Sequence, residues 1–277
     1  MIDKINNYLK RQIYSKKFEG CSYYIICNNE EYTNCLGKNG INDIINVGNF
    51  TNVLVINVLV SILIDEGELN LNDKVKDYIP EFKYDDVLII HLLTHSSGLI
   101  NNINNKKYDA GNDVVFDEIN YKILVMIIEK LYTTDLELLA RSLIFERLCM
   151  NDTRLVRNKV YTTITDISHF IKMILDNGYY NGKQFIDINY IDTWFTPLFL
   201  SNNNVRTTLG WILGNTSEIG SNIDCSLNTI VFNNGNYMLI DRDNDLAIVF
   251  LFKNLKIIDN KINKYIYKIL KEYKKIY

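Results

Sequence analysis

Proline is nearly missing from this chain, with two among 277 residues, and glycine is sparse at 13. That scarcity excludes collagen-like and linker-rich architectures. Only three histidines occur, His91, His95 and His169, too scattered to suggest a metal site. The five cysteines, Cys21, Cys27, Cys35, Cys149 and Cys225, are odd in number and form no Cys-x-x-Cys pair. The reading is reduced thiols in a cytosol, not a disulfide frame or a zinc centre. Neither sign of charge dominates: 30 basic residues face 33 acidic ones, for a net −3. No global field draws nucleic acid or an anionic membrane. The longest apolar run, Val53 to Ile64, is broken by Asn57 and Ser61. It falls short of the roughly 20 residues that a membrane span needs. The opening MIDKINNYLKRQIY has no apolar stretch like a signal peptide's, so the expected location is cytoplasmic, without stable membrane association.

What is present is ordinary for a globular protein: 47% apolar and 23% charged residues. Ile2, Ile5, Leu9 and Ile13 recur at helical spacing and predict a first amphipathic helix. Ser22 to Cys27 and Glu31 to Leu36 read as strands, with Asn28 and Asn29 at the turn. Val53 to Ile64 is apolar on nearly every face and reads as a central buried helix stopped by Gly67. Helical periodicity returns over Asp117 to Tyr132, Leu136 to Leu148 and Thr163 to Asn177, the last with Thr165 or Asp166 placed to cap it. The period then shortens, and strands are expected at Thr208 to Leu213, Thr229 to Phe232, Asn236 to Asp241 and Leu246 to Phe252. A long helix from Ile257 to about Lys275 closes the chain. Its lysines, among them Lys261, Lys268 and Lys271, could suit an anionic surface, but its apolar face is expected to pack on the sheet.

The segment ILIDEGELNLNDKVKDYIPEF, followed by IIHLLTHSSGLI, resembles the serine β-lactamase and penicillin-binding-protein superfamily, in its class C β-lactamase and DD-peptidase branch. The phrases are Glu66 to Leu71, Tyr78 to Pro80 and Leu92 to Leu99. Ile119 to Leu131 and Leu143 to Thr153 agree, with Arg147 and Cys149 replacing a Pro and a Gly of the family's pattern. The resemblance implies a mixed α/β fold of the α+β type, an antiparallel sheet flanked by helices with an inserted all-helical subdomain. It implies one domain over 1–277, residues 1–46 and 155–277 forming a sheet lobe and 47–154 a helical lobe.

It also implies three catalytic motifs, and the sequence departs from each. A Ser-x-x-Lys should open the buried helix, supplying a nucleophile and an amine one turn later. Counting from Gly48 puts Asn49 and Asn52 at those positions; counting back from Gly67 puts Phe50 and Val53 there. Neither register holds a hydroxyl nucleophile or an amine. The Tyr-x-Asn motif reads Phe116, Asp117, Glu118: the phenol oxygen is gone and a carboxylate replaces a neutral amide. The His-x-Gly or Lys-Thr-Gly strand falls between Cys225 and Phe232, with Asn228 or Leu227 nearest the basic position.

The expectation is a pseudoenzyme whose former cleft is marked by Asn49, Asn52, Phe116, Glu118 and Asn228. No cofactor or metal is implied, and the partner would be a small molecule or a protein. Two alternatives stay open: a hydrolase rebuilt on Cys225 or on the Asp117–Glu118 pair, and a structural or oligomeric protein with a closed cleft. Bulky Phe50 and Phe116 in the groove would favour the last. Ser96, Ser97 and His95 are read as structural parts of the turn at Gly98, His95 bonding to backbone there. His91 is read as a core or cap residue and His169 as a lone surface one.

Overall fold

The fold is that of a computed structural model, which describes residues 1–48, 50–200, 206–213, 229–233 and 235–254, and residues 262, 265, 268 and 269. In chain order come α1 (Ile2–Tyr14), β1 (Gly20–Cys27), β2 (Glu30–Gly37) and β3 (Ile45–Gly48). A π-helical turn (Asn52–Ile56) leads without a break into α2 (Asn57–Asp65). Then follow α3 (Val75–Tyr78), α4 (Ile89–Leu93), the ribbon β4 (Leu99–Ile100) and β5 (Asn102–Lys106), and α5 (Ile119–Tyr132). Next are α6 (Leu136–Leu139) with a second π turn (Ala140–Phe145), β6 (Arg154–Val156), β7 (Lys159–Thr162), α7 (Ile164–Leu175), the ribbon β8 (Tyr179–Tyr180) and β9 (Lys183–Gln184), and α8 (Ile188–Thr193). The last strands are β10 (Phe199–Leu200), β11 (Arg206–Thr207), β12 (Ile212–Leu213), β13 (Thr229–Asn233), β14 (Asn236–Asp241) and β15 (Leu246–Lys253).

Eight strands form one antiparallel sheet in the order β10-β11-β12-β13-β14-β15-β1-β2. An early strand and the last one therefore meet near one edge of the sheet, where β1 lies between β15 and the edge strand β2. The two-residue period of a strand explains why its centre is apolar throughout. Tyr23, Ile25, Cys27, Tyr237, Leu239, Ile248 and Phe250 face one side, with Ile5 and Leu9 of α1 and with Ile262 and Ile269. Tyr24, Ile26, Met238, Ile240, Ala247, Val249 and Leu251 face the other, against the helices of the middle of the chain. The first and last apolar faces thus cover one side of the sheet and the central helices the other.

The hairpin turn between β1 and β2 has Asn28 and Asn29 at φ 54° and 60°, the left-handed geometry that suits the right-handed twist of paired strands. Two helix starts differ from the sequence reading. The cap of α7 is Thr163, whose hydroxyl accepts from Asp166 N at 3.1 Å; Thr165 already lies within the helix, and Asp166 is drawn into the core by Thr153. Helix α5 begins at Ile119 because the Asp117 carboxylate accepts the Ile119 amide at 2.9 Å. Of the expected closing helix, residues 262, 265, 268 and 269 are helical, and Tyr265 stacks on Tyr8 at 4.0 Å; the rest of Ile257 to Lys275 lies outside the described residues. Among the described residues, no helix is long and apolar enough to cross a membrane.

Candidate active-site cleft

The site is built where the central helix starts. Strand β3 ends at Gly48, whose φ is +43°, and the chain turns into the helix through Phe50 and Thr51. Phe50 and Val53 have no solvent exposure and belong to the main core. Phe50 therefore does not close a groove. Asn52 is half-buried at the head of the π turn. A π turn holds one residue more than an α turn over a similar rise, so the start of this helix carries an additional residue relative to a regular one. Asn49 lies outside the described residues, as do Cys225, Leu227 and Asn228.

The hydroxyl nearest this helix start belongs to Thr51, a residue the sequence reading passed over. It is 3% exposed. Its oxygen donates to Gly48 O at 2.7 Å and accepts from Val160 N at 3.1 Å. Those two bonds tie the helix start to β7 and leave the oxygen no route to a reacting carbonyl.

Further along the helix stands Asn57, buried among apolar neighbours. Its amide donates to Leu209 O at 2.7 Å, and its carbonyl oxygen accepts from the Tyr190 hydroxyl at 3.1 Å. Gly210 N donates to Leu93 O at 3.1 Å, and the Thr207 hydroxyl donates to Thr94 O at 3.1 Å. Together these bonds join the central helix, α8, α4 and the loop between β11 and β12. Gly210 has φ +82°, and a Cβ there would meet Asn57 Nδ2 at 3.0 Å and Tyr121 Oη at 3.3 Å.

The phrase from Thr94 to Leu99 lies beside this joint, tied to it through Thr94. Ser96 and Ser97 are both buried. Ser96 Oγ shares a hydrogen bond with Thr94 Oγ1 at 2.9 Å. Ser97 Oγ donates to Asn120 Oδ1 at 2.5 Å and accepts from Leu99 N at 3.1 Å. Neither hydroxyl is free to act as a nucleophile, in keeping with the structural reading. His95 sits in the left-handed region at φ 56°. Its ring lies 4.9 Å from that of Phe116 and 5.1 Å from that of Tyr121, and Nδ1 is 3.4 Å from Asn120 Nδ2. Burial pushes the imidazole down to about 4, against a smaller opposing pull from Asp117. The ring is thus packed neutral between two aromatics and an amide, and it bonds to backbone as the sequence suggests, at Asp117 rather than within the turn at Gly98 itself. Burial likewise lifts the Tyr121 phenol far above its ordinary range.

The other histidines divide. His91 Nδ1 accepts Leu88 N at 3.1 Å and caps α4, in line with the sequence reading. His169 is half-buried, not a lone surface residue: its Nδ1–H donates to Leu148 O at 3.0 Å and Cys149 O at 3.2 Å.

Around the second motif, Phe116 is half exposed beside His95. Asp117 is occupied by backbone, accepting Asn101 N and Ile119 N, both at 2.9 Å. Glu118 projects into solvent and pairs with Lys122 at 3.6 Å. Helix α5 packs against both α4 and the π turn, so the elements bearing Asn52 and the Phe116–Glu118 segment are neighbours. Among the described residues, no group of three or more His, Cys, Asp or Glu side chains is arranged to hold a metal ion.

Known proteins share this fold. The octameric penicillin-binding protein homologue from Pyrococcus abyssi superposes with a TM-score of 0.82 at 16% identity, covering 98% of this chain and 77% of that one. The D-alanine carboxypeptidase from Burkholderia cenocepacia gives 0.79 at 16% identity, covering 98% and 100%. A class C β-lactamase gives 0.78 at 16% identity, covering 96% and 95%. At such identities these likenesses speak for the fold. No curated protein sequence matches. The family model named Beta-lactamase matches residues 54–268, beginning just past the segment where the first motif would stand. That match takes in most of the sequence, and the chain belongs to the β-lactamase family of serine hydrolases.

Proposed function

We propose that this chain is a catalytically silent family member that has kept its cleft for binding. The observation that carries the reading is the helix start. From Gly48 to Val53 the sequence offers no serine and no lysine, and the one hydroxyl present, on Thr51, is buried and bonded twice to backbone. Removing a nucleophile or base from a serine-hydrolase triad costs roughly a millionfold in turnover. The π turn supports placing Asn49 and Asn52 at the former serine and lysine. It takes up the one residue by which the counts from Gly48 and Gly67 differ, while Phe50 and Val53 stay in the core.

Rebuilt acid–base chemistry on Asp117 and Glu118 has little support. Asp117 is committed to two amides, and Glu118 is a solvated carboxylate. A filled, purely structural cleft has little support either, because Phe50 points into the core and Phe116 keeps half its surface exposed. A reducing compartment such as the cytoplasm belongs to the same proposal, since Cys21, Cys35 and Cys149 stand as thiols.

The test is intact-protein mass after exposure to a broad-spectrum β-lactam and, separately, to a fluorophosphonate. No covalent adduct is expected from either. A stoichiometric adduct would overturn the proposal, and mapping it to Ser96, Ser97 or Cys225 would identify a rebuilt nucleophile.

A further inference from the structure

Four Asn–Gly pairs occur in the sequence, at residues 39–40, 177–178, 181–182 and 234–235. Asn234 lies outside the described residues, and the other three sit in quite different surroundings. Asn39 is 8% exposed, and its amide donates to Leu251 O at 3.4 Å. Asn177 is exposed, but its Oδ1 is held by Arg242 Nη2, and Gly178 behind it is locked: its N donates to Met173 O at 2.9 Å, and a Cβ there would lie 2.1 Å from Ile186 O. Asn181 and Gly182 form the tip of the β8–β9 ribbon, both exposed, at φ 51° and 72°, with the Asn181 side chain hydrogen-bonded to the neighbouring Tyr180 phenol. The space where a side chain would project from Gly182 is open to 4 Å. The ribbon pairs only Tyr179 with Gln184 and Tyr180 with Lys183.

We propose that Asn181 is a site of self-modification, converting without an enzyme to aspartate and isoaspartate. The chemistry needs only water and the chain itself. The Gly182 backbone nitrogen loses its proton to hydroxide and attacks Asn181 Cγ. A Cγ–N bond forms, the Cγ–Nδ2 bond breaks, and the amide nitrogen leaves as ammonia, closing a five-membered succinimide. Water then opens the ring at one of its two carbonyls. One opening restores the normal backbone with an aspartate; the other routes the backbone through the side chain as isoaspartate. No electron is gained or lost.

Two physical conditions favour this pair. Glycine puts no Cβ in the way of the attacking nitrogen. A ribbon with so few paired residues opens at low free energy, freeing the backbone rotation that brings nitrogen and Cγ together. Each conversion adds a carboxylate beside the Tyr180 phenol, in a neighbourhood that also holds Cys149 and His169. The isoaspartate form also lengthens the turn by one methylene.

The experiment is peptide mapping by mass spectrometry, with isoaspartate identified by its backbone fragments, on the full chain aged in mildly alkaline buffer. Conversion at Asn181 should outrun that at Asn39 and Asn177 by about tenfold, the ratio that about 1.4 kcal/mol of easier local opening gives. Asn181→Gln should abolish the modified peptide. Arg242→Gln should raise conversion at Asn177 by freeing its carboxamide. An unmodified Asn181 in folded protein, or conversion at Asn39 or Asn177 that equals it, overturns the proposal.

Discussion

Ser97 and Asn120 face one another with their polar atoms 2.5 Å apart, the serine hydroxyl donating to the amide oxygen. The same serine oxygen takes the Leu99 amide, and the Asn120 amide donates to Asp117 O at 3.2 Å. Ser97 therefore links the turn at Gly98 to the first turn of α5. The serine most easily mistaken for a nucleophile is a fixed bracket.

Replacing it should cost stability and leave reactivity as it was. Ser97→Ala orphans a buried Leu99 N–H and half of the Asn120 amide, a loss of about 1–3 kcal/mol. In a chain of this size each kcal/mol lowers Tm by about 2–4 °C. Calorimetry should show that drop, and fluorophosphonate labelling should be absent before and after. Labelling of wild type that disappears in the variant would contradict the bracket reading.

His95 gives a dependence on pH whose sign is fixed. Its folded value is pushed down to about 4 by burial, from an ordinary 6.5. Between those values the unfolded chain binds the proton and the folded one does not, so stability rises with pH. The contribution is complete above about 6.5 and falls away as pH drops toward 4. Asparagine tolerates the left-handed backbone found at this position and does not titrate. In urea unfolding, the difference in stability between wild type and His95→Asn should shrink by a few kcal/mol, on the order of 3, from pH 7 to pH 4. A difference that stays constant over that range would show that the ring titrates normally.

Asn57 is a polar residue in an apolar helix, and its two bonds explain why it is tolerated. Asn57→Leu is close in size but leaves the Tyr190 hydroxyl and Leu209 carbonyl buried without their partner. The expected loss is about 2–4 kcal/mol, read from denaturant midpoints at unchanged slope. Hydrogen exchange should also speed up in residues 206–212, which the bonds hold against the helix. A loss under about 1 kcal/mol, the net worth of an ordinary hydrogen bond, would mean that the joint is not rigid.

Much of the fold is legible in the residues themselves. Continuous apolar runs in Tyr23 to Cys27 and Leu246 to Phe252, asparagines at a tight turn, and apolar repeats in α1, α5 and α7 each follow from local geometry. The details of the cleft are not. Asn57 finds its carbonyl 152 residues away and Thr51 its amide 109 residues away, separations that no local pattern encodes. The π turn is hidden for another reason. Val53 to Val60 is buried throughout and apolar on every face apart from Asn57, so adding one residue changes no visible periodicity. The conflict between the counts from Gly48 and Gly67 was its only trace in the sequence. The cap of α7 is not legible in the sequence because Thr163, Thr165 and Asp166 all suit that role chemically. Only the extended backbone at Thr163 separates them.

Thr51 separates architecture from chemistry most cleanly. It is the hydroxyl nearest the helix start, so a hidden activity would be expected to use it. In the structure its oxygen instead holds Gly48 O and Val160 N, joining the helix to β7. Thr51→Val keeps the shape and removes both bonds, so the fold should lose about 1–3 kcal/mol through the buried Val160 amide. Thr51→Ser keeps the oxygen and should recover most of that loss. Neither variant should change the response to β-lactam or fluorophosphonate, because the oxygen has no free path to a carbonyl. Acylation that appears in Thr51→Ser, a less hindered hydroxyl at the same place, would show that this helix start still supports the old chemistry. It would move the boundary between silent and active family members to a single methyl group.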